Sequence, residues 1–215
     1  KMVLGGGSKS YKTWFLIDLA LSVSCGIDWC GFPTTQGKAL YINLEIQDFW
    51  AQRRLKTVKA ARKTILEEGQ LAFWNLRGHS TEIGKLMETM LPKIINGGYG
   101  LVVLDPIYKL YGECDENNVS GVMSILNEVE RLAVETGAAV VFGTHFSKGN
   151  QASKNSIDRI SGSGAFARDP DTILILTQHD EEDCYTLEST LRNFKPMPPL
   201  VVRWDFPLFI RDDDL

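Results

Sequence analysis

The stretch Gly5-Gly6-Gly7-Ser8-Lys9-Ser10-Tyr11-Lys12-Thr13 constrains this chain most. It follows a short apolar run, Met2-Val3-Leu4, and precedes an apolar-periodic segment, Trp14 to Ser24. A strand, a small-residue loop and a helix in that order form the setting of a phosphate-binding loop. Small residues let successive backbone N–H groups turn inward, and the helix N-terminus adds free N–H groups and the positive end of its dipole. Lys12 supplies an ammonium for the outer phosphates, Thr13 a hydroxyl for a magnesium ion, and Gly6, Gly7, Ser8, Lys9, Ser10 and Tyr11 form the loop wall. The pattern G-x-x-x-x-G-K-[ST] is met at Gly6 and at Lys12-Thr13 but broken at Tyr11, where the last glycine belongs. A side chain there is expected to fit if the backbone is already helical. Lys9 adds an unusual second cation. The alternative is an ordinary glycine-rich turn ahead of a helix.

The rest of the chain alternates strand and helix as far as residue 145. Ala39 to Leu44, Leu71 to Leu76, Leu101 to Leu104 and Ala138 to Gly143 read as strands, the apolar runs among them suited to burial on both faces of a parallel sheet. Helices are expected from Gln47 to Glu68 with Gly69 as stop, from Ser80 or Thr81 as N-cap to about Ile95, and from Ser120 to Thr136 before Gly137. Gly26 is expected to end the first helix. The basic residues of the second helix, Arg53, Arg54, Lys56, Lys59, Arg62 and Lys63, read as a solvated surface in preference to a nucleic-acid stripe. A polar segment, Ser147 to Ser163, reads as a functional loop. After Pro170, Thr172 to Thr177 and Tyr185 to Phe194 form an antiparallel hairpin, followed by one last apolar stretch, Leu200 to Ile210. The prediction is one α/β domain over residues 1–215, a mainly parallel sheet flanked by helices with a C-terminal antiparallel extension.

Composition narrows the classes. A net charge of −4, from 23 basic and 27 acidic residues, does not indicate a strongly basic nucleic-acid protein. The four cysteines, Cys25, Cys30, Cys114 and Cys184, lack C-x-x-C spacing and read as reduced thiols of a cytoplasmic protein. No apolar run approaches the ~20 residues of a membrane span. The chain opens almost on top of the first strand, so an N-terminal part of the natural protein is expected to be missing.

In an open α/β sheet, ligands bind beyond the carboxyl ends of the strands. Glu45, Asp105 and His145 each follow an apolar strand, as the loop does. Asp105 after Leu101-Val102-Val103-Leu104 is the Walker B pattern and would hold magnesium through water, opposite Thr13. Glu45 is placed to orient or deprotonate an attacking water, and His145 to sense a terminal phosphate. Each has a plainer alternative: an Asp-Pro turn at Asp105-Pro106, a helix-capping carboxylate at Glu45 and a structural histidine at His145.

With GGGSKSYKTW, YINLE, LVVLDP, and GTHFSKG followed by RISGSGAFARDPD, the chain resembles the RecA-like branch of P-loop ATPases. Within that branch it most resembles the RepA-like plasmid and phage helicase ATPases. The resemblance implies a RecA-like core binding ATP and Mg2+, with Glu45 as catalytic glutamate and His145 coupling the γ-phosphate to the following loop. It also implies that Ser147 to Ser163 lines a path for single-stranded DNA, for which Lys148, Lys154 and Arg159 are the candidate contacts. It further implies a homo-oligomer, hexamer or filament, with a neighbour's arginine completing each site. Arg159, Arg168, Arg192 and Lys195 are candidates for that role, Arg168 chosen among them, although the plasmid helicases carry theirs nearer Asp171, where this chain has acid. The expected function is a DNA-dependent ATPase or helicase in replication, recombination or mobilisation of phage or plasmid DNA. The alternative is a nucleotide-controlled regulatory switch or scaffold, with a small-molecule kinase third for want of an arginine-rich lid.

Overall fold

A computed structural model describes residues 1–79, 83–112, 118–146 and 165–215. The apolar run after Lys1 forms β1 (Met2–Gly6), and the loop leads into α1 (Lys12–Cys25), which Gly26 ends in a left-handed conformation as the sequence predicts. The core continues through β2 (Ala39–Asn43), α2 (Asp48–Arg62), β3 (Leu71–Asn75), α3 (Ile83–Gly97), β4 (Leu101–Asp105), α4 (Val119–Thr136) and β5 (Ala139–His145). A one-turn α5 (Ala165–Arg168) precedes β6 (Thr172–Gln178), β7 (Cys184–Leu191), β8 (Leu200–Asp205) and β9 (Leu208–Asp212). The expected N-cap at Ser80 or Thr81, Cys114, and the loop Ser147 to Ser163 with Lys148, Lys154 and Arg159 lie outside the described residues.

The nine strands among the described residues join one sheet in the order β3-β2-β4-β5-β1-β6-β7-β8-β9. The pairs from β3 to β6 are parallel, and those from β6 to β9 antiparallel. This is the predicted parallel core with its antiparallel extension. Strands β2 and β4, apolar up to their last residues Asn43 and Asp105, are buried along their whole length, as a sheet covered on both faces requires. On one face, α1 and α2 pack Phe15, Leu16 and Val58 against Leu4, Tyr41, Val103 and Val141. On the other, α3 and α4 pack Met87, Met90, Leu126 and Val129 against Val3, Ile42, Val102 and Leu104.

Three elements differ from the sequence reading. The second helix stops at Lys63, whose φ of 50° is left-handed, and does not reach Gly69. Only Ala51 and Val58 of α2 are buried, Arg62 turns back to pair with the buried Asp18 of α1, and Leu66 rejoins the apolar layer from outside the helix. With its inward anchors used, the segment has no packing to sustain further turns. The stretch Leu200 to Ile210 is a hairpin, β8 and β9 turning at Phe206-Pro207. A short 3-10 turn, Ile107–Leu110, follows β4 where the sequence gives no helical signal.

Register decides what meets at the carboxyl edge. Gly6 at the end of β1 pairs with His145 at the end of β5, and Asn43 at the end of β2 pairs with Asp105 at the end of β4. The loop, His145, Asp105 and the turn that carries Glu45 therefore share one edge of the sheet.

Candidate functional site

At that edge lies a cavity of about 400 Å³, lined by Lys9, Ser10, Tyr11, Lys12, Thr13 and Trp14 from the loop and α1. Glu45, Arg54, Asp105, Pro106 and His145 close its other side. No side chain caps α1 and its first turn holds no acid, so the positive helix end faces the cavity with no carboxylate of its own. Ser10 Oγ donates to the Gly7 carbonyl at 2.8 Å and tightens the loop. A Cβ at Gly6 would lie 2.9 Å from Ser10 Oγ and 3.1 Å from the Leu176 carbonyl, so this curl needs the glycine.

Lys12 is buried and folded back over the loop. Its Nζ donates to the Gly6 and Gly7 carbonyls at 2.9 and 2.6 Å and lies 3.4 Å from His145 Nδ1. Burial pulls its ammonium down to about 8, against the opposing pull of Asp105 and Glu45. The curled loop thus holds one cation where an anion would enter.

Asp105 is buried beneath the loop. It accepts the Tyr41 hydroxyl at 2.6 Å and is hydrogen-bonded by the Thr13 side chain. Burial raises its carboxyl above the usual range, while Tyr41, Thr13 and Lys12 favour the charged form. A Cβ at Gly143 would lie 2.8 Å from Asp105 Oδ1, so the neighbouring strand leaves room for this carboxylate only as glycine. Thr13 and Asp105 give one hydroxyl and one carboxylate side by side, hard oxygen donors of the kind magnesium prefers.

Glu45 is exposed to the cavity, and Tyr108, on the 3-10 turn, donates to its Oε1 at 2.6 Å. The Tyr108 ring lies 5.5 Å from that of His145. The turn that presents Glu45 is built by buried Asn43, whose Oδ1 accepts the N–H groups of Glu45 and Ile46 while its Nδ2 donates to Ile46 and Asn75. Tyr108 and Asn43 escaped sequence reading. The polar Asn43 inside a buried strand was the signal for one, while nothing local marks the other. Arg54 of α2 also lines the cavity, its guanidinium 5.1 Å over the Trp14 ring, and burial lowers its pKa. Arg54 and Arg62 therefore face inward, and the solvated reading of this helix holds for exposed Arg53, Lys56, Lys59 and Lys63.

Tyr11 corrects a further expectation. Its backbone is not helical but left-handed, φ 58° and ψ 18°, as is that of Lys9 at φ 62°. A side chain in that conformation costs roughly 1–2 kcal/mol. The Tyr11 ring meets this by stacking on Trp204 of β8, with centroids 4.3 Å apart and planes within 8°. Arg168 lies exposed on α5 and does not line the cavity. Arg192 donates to the carbonyls of Arg168 and Asp169, and Lys195 is exposed.

Residues 2–151 match the AAA domain family. The chain belongs to that family. A solved KaiC-like protein from the hyperthermophilic archaeon Pyrococcus horikoshii is similar in fold to this AAA domain, with a TM-score of 0.67 at 12% identity. The likeness covers 98% of this chain and 88% of the other. No curated protein matches the sequence. The AAA domain is a P-loop ATPase domain with the RecA-type fold. No helix among the described residues is long and apolar enough to cross a membrane.

Proposed function

We propose that this AAA domain binds ATP with Mg2+ in the edge cavity and hydrolyses it as a DNA-dependent, oligomeric ATPase of the RepA-like helicase type. One observation carries the reading. Lys12, the Thr13–Asp105 pair and Glu45 converge on one cavity at the uncapped end of α1. Lys12 and the loop amides would bind the phosphates. Thr13 and Asp105 would hold the ion, which supplies charge neutralisation on those phosphates. Glu45, held by Tyr108, would orient a water and take its proton. His145, beside Lys12 and Tyr108 and last on the strand leading to Ser147, would sense the terminal phosphate. The DNA path is assigned from sequence to Lys148, Lys154 and Arg159, and the trans-acting cation to Arg168 on a neighbouring copy.

The second reading, a nucleotide-controlled switch, draws on the KaiC-like fold and on the acidic balance of the chain. ATPase rates with and without single-stranded DNA separate the two. Stimulation by DNA, lost in Lys12→Ala, supports the first. An ATPase indifferent to DNA supports the second. Unchanged nucleotide affinity in Lys12→Ala would sink both.

A further inference from the structure

The antiparallel extension contributes nothing to the cavity lining, yet it reaches the phosphate loop. Trp204 belongs to β8, which stands three places from β1 in the sheet order. Its ring nevertheless lies flat against Tyr11, with Tyr185 edge-on to the same tyrosine at 6.3 Å. Trp204 is itself walled by Phe209 at 5.1 Å, Trp14 at 5.9 Å and Phe206 at 6.1 Å. Its backbone N–H donates to the Asp183 carbonyl at 2.8 Å, tying β8 to the turn between β6 and β7. The indole is thus fixed from several sides before it meets the loop.

What it holds is the entry to α1. The Tyr11 carbonyl accepts the N–H groups of Trp14 and Phe15 at 2.9 and 3.2 Å, so the Tyr11 dihedrals set the direction in which the helix starts. Lys12 and Thr13 follow immediately. A glycine at position 11 would take the left-handed conformation at little cost. A tyrosine takes it only where the surroundings over-determine it, and no side-chain hydrogen bond of Tyr11 caps the helix. The Trp204 stack, with Tyr185 edge-on beside it, supplies that contact.

We propose that Trp204 is a positioning residue for the phosphate loop. The C-terminal extension braces Tyr11 in the left-handed conformation that a glycine would adopt alone, and so keeps Lys12 and Thr13 aimed at the cavity. The proposal rests on the phosphate reading of the loop. It makes Tyr11 and Trp204 a single device, so their effects must not add.

The test is a double-mutant cycle read by titration calorimetry with ADP and Mg2+, and by hydrogen exchange of the amides of residues 7–13 without nucleotide. Trp204→Leu, which keeps apolar bulk but removes the flat ring, should weaken ADP binding about tenfold, the factor that 1.4 kcal/mol represents, and speed exchange in the loop. Trp204→Phe should restore most of both. Whatever Tyr11→Gly costs by itself, Trp204→Leu added in that background should cost nothing further. Equal losses from Trp204→Leu in both backgrounds would overturn the brace, because Trp204 would then act on the nucleotide or the fold directly. So would unchanged affinity and exchange in Trp204→Leu alone. A wild type that binds no nucleotide would overturn the phosphate reading, and loop exchange would still decide the brace.

Discussion

Tyr108→Phe removes one oxygen and keeps the ring, so its 5.5 Å approach to His145 survives. What goes is the 2.6 Å bond to Glu45 Oε1. A hydrogen bond to a charged acceptor is worth about 1.5–3 kcal/mol. Glu45 is exposed, so solvent screening brings the effective loss to about 1 kcal/mol. That is about fivefold in rate if the bond orients the carboxylate in the transition state. Tyr108 does not line the cavity wall formed by the loop, so KM should stay put while kcat falls. Steady-state ATPase assays of Tyr108→Phe, Glu45→Gln and the double variant decide it. Glu45→Gln alone should slow turnover by roughly 100-fold or more. Once the base is gone, orienting it has little left to contribute, so the double variant should match Glu45→Gln. A fivefold loss repeated in the Glu45→Gln background, or a rise in KM with kcat intact, would refute the reasoning.

Two further outcomes follow from buried charge. Burial disfavours the Lys12 ammonium and pulls it from its ordinary 10.5 down to about 8 in the folded protein. The fold therefore carries a cost for that charge below about pH 8, relieved as pH rises from 8 towards 10.5. Nucleotide binding needs the charge and runs the opposite way. ADP affinity should fall above about pH 8, with proton uptake on binding measurable by calorimetry in buffers of different ionisation enthalpy, and Lys12→Arg should flatten this dependence. Arg62→Met should cost about 3 kcal/mol in urea unfolding, because it strands the buried Asp18 carboxylate. Adding Asp18→Asn should recover much of that loss, and strict additivity of the two substitutions would count against the pairing.

Several features of this AAA domain are local and could be read from the chain alone. The apolar runs that become β1, β2, β4 and β5 are short and continuous, closed by glycines in β1 and by polar residues in the others, so both the strands and the positions of Glu45, Asp105 and His145 at or just beyond their ends followed from pattern. The stops at Gly26 and Gly137 followed from backbone sterics. The tertiary structure decided the rest, because it depends on partners far along the chain. Nothing near Tyr11 announces that a tryptophan on β8 will hold it left-handed. Nothing near Tyr108 announces Glu45 as its acceptor. The length of α2 was set by where its inward anchors end, which helix propensity does not report. Strand register, fixed by side-chain packing across the whole sheet, put Gly6 beside His145 and Asn43 beside Asp105. A one-residue slip in either pairing would have turned every side chain of that strand to the other face.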